Sequence, residues 1–179
     1  MTLRPQRSPR QDASRRTSRP ADTAGAVDHL HVDIIIESPL WGSHGDIEAA
    51  VHRTIAAAVA DAIDGEVAVL LADDATVRDM NARWRGKEGA TNVLSFPPGP
   101  GAEARHLGDI VIAYETAAEE ARLQGKPFDH HLAHLVVHGF LHLLGYDHES
   151  DANADAMERR ERDILARLEI PDPYAAPEV

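Results

Sequence analysis

From residue 31 apolar and polar positions alternate, so that Val32, Ile34 and Ile36 share one side of an extended segment running from His31 to Glu37. The period then changes. Ile47, Ala50, Val51, Ile55, Ala58, Val59 and Ile63 recur at helical spacing behind Asp46, whose carboxylate can cap the free N–H groups of a first turn. Glu66 to Ala72 reads as a second, apolar strand, and Asp73 and Asp74 open a short helix carrying Val77, Met80 and Trp84. Thr91 to Phe96 predicts a third strand, stopped by the loop Pro97-Pro98-Gly99-Pro100-Gly101, and Gly108 to Ala113 a fourth. One helix is expected from about Tyr114 to Gly125 and another from Pro127 to Gly145, with proline at the start and glycine at the end. The last begins near Ser150 and shows Ala154, Met157, Ile164, Leu165 and Leu168. Strands and helices interleave early, and helices cluster late. That order predicts a single α+β domain, a small mixed four-stranded sheet packed with about five helices.

Composition narrows the class. A chain of 179 residues is long enough for one core, and the absence of cysteine excludes a disulfide framework, thiolate metal sites and thiol nucleophiles. The richest apolar stretch, Leu132 to Leu144, is broken by three histidines, so neither a membrane span nor a membrane partner is expected. With no signal-peptide core near the N-terminus, a cytoplasmic protein is expected. Charge is unevenly placed: six Arg and one Asp fall in the first twenty residues, leaving −17 on the remainder. Residues 1–28, rich in Arg, Ser, Pro and Thr, carry too little apolar surface to offset ordering and are expected to form a disordered tail. Residues 29–174 are then the folded domain and 175–179 a C-terminal tail. So acidic a domain excludes a broad nucleic-acid face; any phosphate recognition has to be local.

The candidate chemistry lies at the end of the long helix, in His138-Gly139-Phe140-Leu141-His142-Leu143-Leu144-Gly145-Tyr146-Asp147-His148. Histidines at i and i+4 share a helical face, roughly 6 Å apart at Cβ, which lets both imidazoles reach one cation. Gly145 can end the helix in a left-handed turn and bring His148 back to the same ion. Three neutral imidazoles leave a tetrahedral metal one open position, as catalytic sites require. The bland alternative is a set of buried histidines hydrogen-bonded within the core. His134 continues the ladder and is expected behind the ligands or in the core; Asp147 and Glu149 flank the third ligand as base, orienting group or plain loop. The spacing also matches the metzincin zinc proteases, but these need Glu directly after the first His, and Gly139 stands there. Upstream, Arg78, Arg83, Arg85 and Lys87 form the densest basic patch of the domain, with Arg85 and Lys87 as candidate substrate-binding residues. Asn92 and Ser95 either contact substrate or end strand pairing; Trp84 and Tyr146 either stack on bases or belong to the core.

The string from His138 to His148 resembles the signature of the YbeY family, bacterial metalloendoribonucleases of ribosomal RNA maturation. Arg85-Gly86-Lys87 followed by Thr91-Asn92-Val93-Leu94-Ser95-Phe96 is similar too, as are Leu107-Gly108-Asp109-Ile110-Val111-Ile112 and the closing Asp172-Pro173-Tyr174. The likeness spans about residues 30–174. It implies one Zn2+ per chain on His138, His142 and His148, with Arg85 as the residue associated with RNA cleavage. It implies a metal-dependent endoribonuclease domain over 29–174 that acts on single-stranded RNA. The substrate would be precursor ribosomal RNA, in maturation of the 16S 3′ end and ribosome quality control, with a ribosomal subunit as partner. A metzincin-like metallopeptidase and a non-catalytic, zinc-stabilised ribosome-assembly factor are the alternatives. No general base is assigned, so attack by hydroxide and by the ribose 2′-hydroxyl both stay open.

Overall fold

The structure, a computed structural model, describes residues 30–59 and 63–175. The tail expected over 1–28 lies outside the described residues, as does that over 175–179 apart from Ala175. The elements follow the expected order: β1 (Leu30–Ile36), α1 (Ile47–Ala58), β2 (Gly65–Ala72), α2 (Asp74–Arg85), β3 (Val93–Phe96), β4 (His106–Ala113), α3 (Tyr114–Leu123), α4 (Phe128–Leu143) and α5 (Asp151–Arg167). Three helices begin on the side-chain caps their sequences offer. Asp46 accepts from Ala49 N at 3.0 Å, Asp73 from Thr76 N at 2.8 Å and Ser150 from Asn153 N at 3.2 Å. α1 ends at Ala58, with Val59 already extended; Ile63, counted into its stripe, packs on the core from the approach to β2. The pattern gave no sign of a 3-10 turn over Pro39–Ser43, which sinks Trp41 fully into the core with its Nε1–H donating to Ala72 O at 2.9 Å.

The four strands run in the order β1-β2-β4-β3, parallel except for β3, which pairs antiparallel with β4. The sheet is therefore mixed, as expected. Strand alternation gives it two faces. Val67, Val69, Leu71, Ile110 and Ile112 meet the helical layer of α1, α4 and α5, while Leu94, Val111 and Ala113 lie under Val77 and Met80 of α2. α4 sits in the middle of the helical layer, touching α1, α3, α5, β3 and β4. It is buried nearly all round, through Leu132, Leu135, Val136, Val137, Phe140 and Leu141 among others. Each such side chain contributes about 1.5–3 kcal/mol on leaving water, so the helix that carries the histidines is also the best anchored. No helix among the described residues is long and apolar enough to cross a membrane.

One irregularity positions this layer. Glu66 pairs with His106 but Val67 with Gly108, leaving Leu107 as a bulge in β4. Gly108 takes φ +125°, and a Cβ there would lie 2.4 Å from Phe96 O and 2.8 Å from Leu143 Cδ2 of α4. Gly108→Ala is accordingly expected to cost about 3 kcal/mol, combining backbone strain with a clash against main chain. A urea unfolding midpoint equal to wild type would contradict this.

Candidate metal centre

α4 presents His138 and His142 one turn apart and then stops at Gly145, φ +90°. Tyr146 N donates to Leu141 O at 3.0 Å and Gly145 N to His142 O at 3.1 Å, the paired bonds of a Schellman ending. The chain turns back and delivers His148. Its ring centroid lies 5.7 Å from that of His138 and 5.0 Å from that of His142. One ligand nitrogen from each of the three lies within 4.8 Å of the others. Asp147 braces the turn: its Oδ1 accepts from Asn153 Nδ2 at 2.7 Å and Glu149 N at 3.0 Å, and these bonds hold its carboxyl below the usual range. That carboxylate is thus tied to the loop and to the first turn of α5.

The hydrogen bonds behind the rings decide whether a metal fits. His142 Nδ1 lies 2.9 Å from Tyr146 O, and a carbonyl only accepts, so that nitrogen carries the proton. His138 Nδ1 lies 2.7 Å from Glu161 Oε1 and must likewise donate. Both neutral rings then turn bare Nε2 lone pairs on each other, 3.0 Å apart. Such an arrangement repels unless a cation lies between. Burial first and His138 next hold His142 below its ordinary pKa, which disfavours a proton on its side of that contact. Two nitrogens bonded tetrahedrally to one ion at roughly 2.0–2.1 Å sit ~3.3 Å apart, so the triad fits a divalent metal with a preference for nitrogen donors.

Arg85 completes the front of the site. It is the last residue of α2, and its guanidinium swings over the edge of β3, donating to Ser95 O at 2.8 Å and lying 5.9 Å from the Phe96 ring centroid. With Thr91, Asn92, Ser95 and the three histidines it lines one cleft of about 350 Å³. No acidic side chain is among the lining residues. Lys87 is exposed and does not line the cleft; its backbone N–H closes the end of α2 on Asn81 O at 3.3 Å. Ser95 turns its hydroxyl away from the opening, donating to Gly139 O at 3.0 Å. Asn92 donates to Glu120. Trp84 is 68% exposed rather than in the core, at the rim of a groove it shares with Leu70, Met80, Phe96 and Val111 on the α2 side of the sheet.

Glu161 of α5 had drawn no attention in the sequence, yet it is fully buried behind the triad. Its Oε1 accepts from His138, and its Oε2 accepts from His134 Nε2 at 3.1 Å and from the Tyr174 hydroxyl. Burial raises its pKa, but the bonds from His134, His138 and Tyr174 outweigh burial and bring it down to about 2. Burial, then the bond to Glu161, pushes the Tyr174 phenol above its usual range and keeps it a donor. A sequence signal was available: residue 161 falls four places from both Met157 and Leu165, inside the apolar stripe of α5. Beside this group, His131 pairs with Glu120 at 2.9 Å.

Fold and site together define a class: an α+β domain whose central helix presents three imidazoles fitted to one metal ion, beside an arginine-lined cleft. The sequence model of the family described as Endoribonuclease YbeY matches residues 43–169. The chain belongs to this family. It is similar to the Endoribonuclease YbeY of Rhodopseudomonas palustris (strain BisB18), 54% identical over 153 residues that cover 80% of this chain and 91% of that one. Against the protein of the same description from Nitrobacter winogradskyi it is 52% identical over 157 residues, covering 82% and 83%. A solution structure of a Thermotoga maritima protein is 24% identical, covers 81% of this chain and 99% of that one, and superposes with a TM-score of 0.48.

The buried imidazoles imply a pH response of the metal-free chain. Burial holds His131 below 6.5, with Glu120 offsetting only part of the shift. A base whose folded pKa is depressed takes its proton more readily when unfolded, so stability is full above its unfolded pKa and falls as pH drops through it. Glu161 acts lower: its contribution is present above 4.5 and is lost as pH falls toward about 2. Urea midpoints of the metal-free chain are expected to fall from pH 7.5 to pH 5.5, with a shallower slope in His131→Asn. Equal slopes would remove His131 as a source.

Proposed function

We propose that the chain is a zinc-dependent endoribonuclease cutting single-stranded RNA, with precursor ribosomal RNA as its substrate. Family membership supports the hydrolytic nuclease activity, as the curated relatives named above are described as endoribonucleases. The observation that carries the reading on this chain is the cleft itself. Three imidazoles and one guanidinium converge in an opening lined by no acidic side chain, on a domain that is otherwise strongly acidic. That is a local phosphate site. On this reading the chain works in the cytoplasm on RNA held by a ribosomal subunit.

His138, His142 and His148 would hold the metal, which when bound polarises a phosphoryl oxygen or activates a water. The residues of the chain do the rest. The Arg85 guanidinium, fixed by Ser95 O and the Phe96 ring, presents its free N–H groups to a phosphodiester and to the negative charge that grows on its oxygens during cleavage. Lys87, just past the end of α2 and outside the cleft, draws the neighbouring phosphates electrostatically. The cleft wall supplies no carboxylate base, so proton removal from the attacking group falls to solvent or to the RNA. A peptidase assignment meets a steric bar: a Cβ at residue 139 would lie 2.9 Å from Ile110 Cγ2 and 3.2 Å from Ser95 Oγ, leaving no room for the glutamate that chemistry uses.

Zinc-loaded protein, His142→Ala and Arg85→Glu are to be compared on a single-stranded RNA with metal content measured in parallel. His142→Ala is expected to lose both metal and cleavage. Arg85→Glu is expected to keep its metal and lose roughly 10²–10³-fold in rate. If wild type leaves RNA intact while chelation lowers its melting temperature, a zinc-stabilised assembly factor becomes the better account.

A further inference from the structure

The closing string Asp172-Pro173-Tyr174 lies beyond the residues matched by the family model and lines no part of the Arg85 cleft. It is nevertheless strapped onto the back of the triad. Lys126 Nζ donates to Pro173 O at 2.6 Å, and Arg162 Nε donates to Asp172 Oδ1 at 3.2 Å. The Arg162 guanidinium also sits 4.9 Å from the Tyr174 ring centroid, and that ring meets His134 edge-on at 5.5 Å. Held this way, Tyr174 turns its hydroxyl inward onto Glu161 Oε2, which His134 also occupies.

The terminal torsion of a glutamate is broad and nearly two-fold, so its carboxylate plane is set by hydrogen-bond partners rather than by a rotamer well. Glu161 has 0% exposure, so the donors that reach it are the side chains packed around it. Two donors on Oε2 therefore leave Oε1 one orientation, 2.7 Å from His138 Nδ1. An imidazole nitrogen that bonds a carboxylate keeps the ring's proton, and the other nitrogen is left bare. We propose that Tyr174 and His134 are positioning residues: through Glu161 they hold the His138 proton on Nδ1 and aim its bare Nε2 at the other two imidazoles. The C-terminal strap thereby sets one face of the metal centre. This rests on the metal-dependent reading above for its purpose, though not for its geometry.

The test uses the full chain, Tyr174→Phe, which removes one hydroxyl and keeps the ring, and Glu161→Gln, which keeps the shape and removes the charge. In the metal-free wild type, imidazole ¹⁵N shifts at pH 8 are expected to show His138 neutral and protonated on Nδ1; a proton on Nε2 overturns the proposal. In Tyr174→Phe part of that population is expected to move to Nε2. Zinc dissociation constants by chelator competition are expected to weaken about tenfold in each variant, the lower end for partners behind a ligand. Unchanged affinity and an unchanged imidazole spectrum overturn the proposal, including the case where Tyr174→Phe merely lowers the melting temperature. Wild type that takes up no zinc defeats the metal reading instead, and the ¹⁵N comparison still decides whether Tyr174 sets the ring.

Discussion

Helix α4 crosses β3 and β4 too closely for any side chain at Gly139, and both halves of the site depend on that approach. Ser95 is the point of contact. Its hydroxyl donates to Gly139 O next to His138, while its carbonyl accepts from Arg85. One residue of β3 thus fixes the helix bearing two imidazoles and the guanidinium that faces them. The strand can serve both because it lies at the edge of the sheet, where outward-pointing carbonyls find no neighbouring strand. A bulkier residue at 139 would push α4 outward and separate the parts of the cleft before it altered any of them chemically.

Behind the cleft, α4 shows a second pattern, imidazoles paired with acids: His131 with Glu120, then His134 and His138 with Glu161. Sealing a carboxylate from water costs several kcal/mol, and an apolar replacement of the whole group is often no less stable. Net stability alone is therefore a weak reason for Glu161. Placement and charge are stronger ones. Under the proposed metal binding, three neutral imidazoles would bring no negative charge to a divalent cation, and Glu161 would supply one through the ring of His138. The three donors around it keep that charge ionised in the interior.

The strands, the helices, their caps and the ladder of histidines were legible because each is a local pattern: alternation, a 3.6 period, a capping side chain, a glycine at a helix end. The Gly145 turn is the clearest case, since the sequence shows both the reason to stop and the histidine that returns. What the sequence hid is what depends on distance. Trp41 sits in a short turn with no period to betray it, and its partners Tyr114 and Phe128 are far along the chain. Trp84 keeps helical register with Val77 and still ends exposed, because register cannot tell how closely the end of a helix packs on the sheet beneath it. Glu161 falls on the apolar stripe of α5, a position that contradicts its chemistry, and its reason lies in partners on other elements. The roles of Ser95 and Asn92 were undecidable for the same reason, as their partners Gly139 and Glu120 lie on other elements.

Charge then sets how RNA can reach such a site. The acidic exterior repels a polyanion, but at physiological salt that field decays over about 8 Å, so a strand is opposed on approach and judged locally on contact. Inside the cleft the balance reverses, with one guanidinium and no acid beside three imidazoles that are themselves uncharged. A volume of about 350 Å³ lies at the small end of ligand pockets and suits roughly one nucleotide unit rather than a duplex. A rigid double helix would bring many phosphates against the acidic surface for each one it offers to Arg85. A flexible single strand can lower one phosphodiester into the cleft and leave its neighbours in solvent, and this asymmetry, rather than any broad basic face, is what makes the fold selective for unpaired RNA under the proposed function.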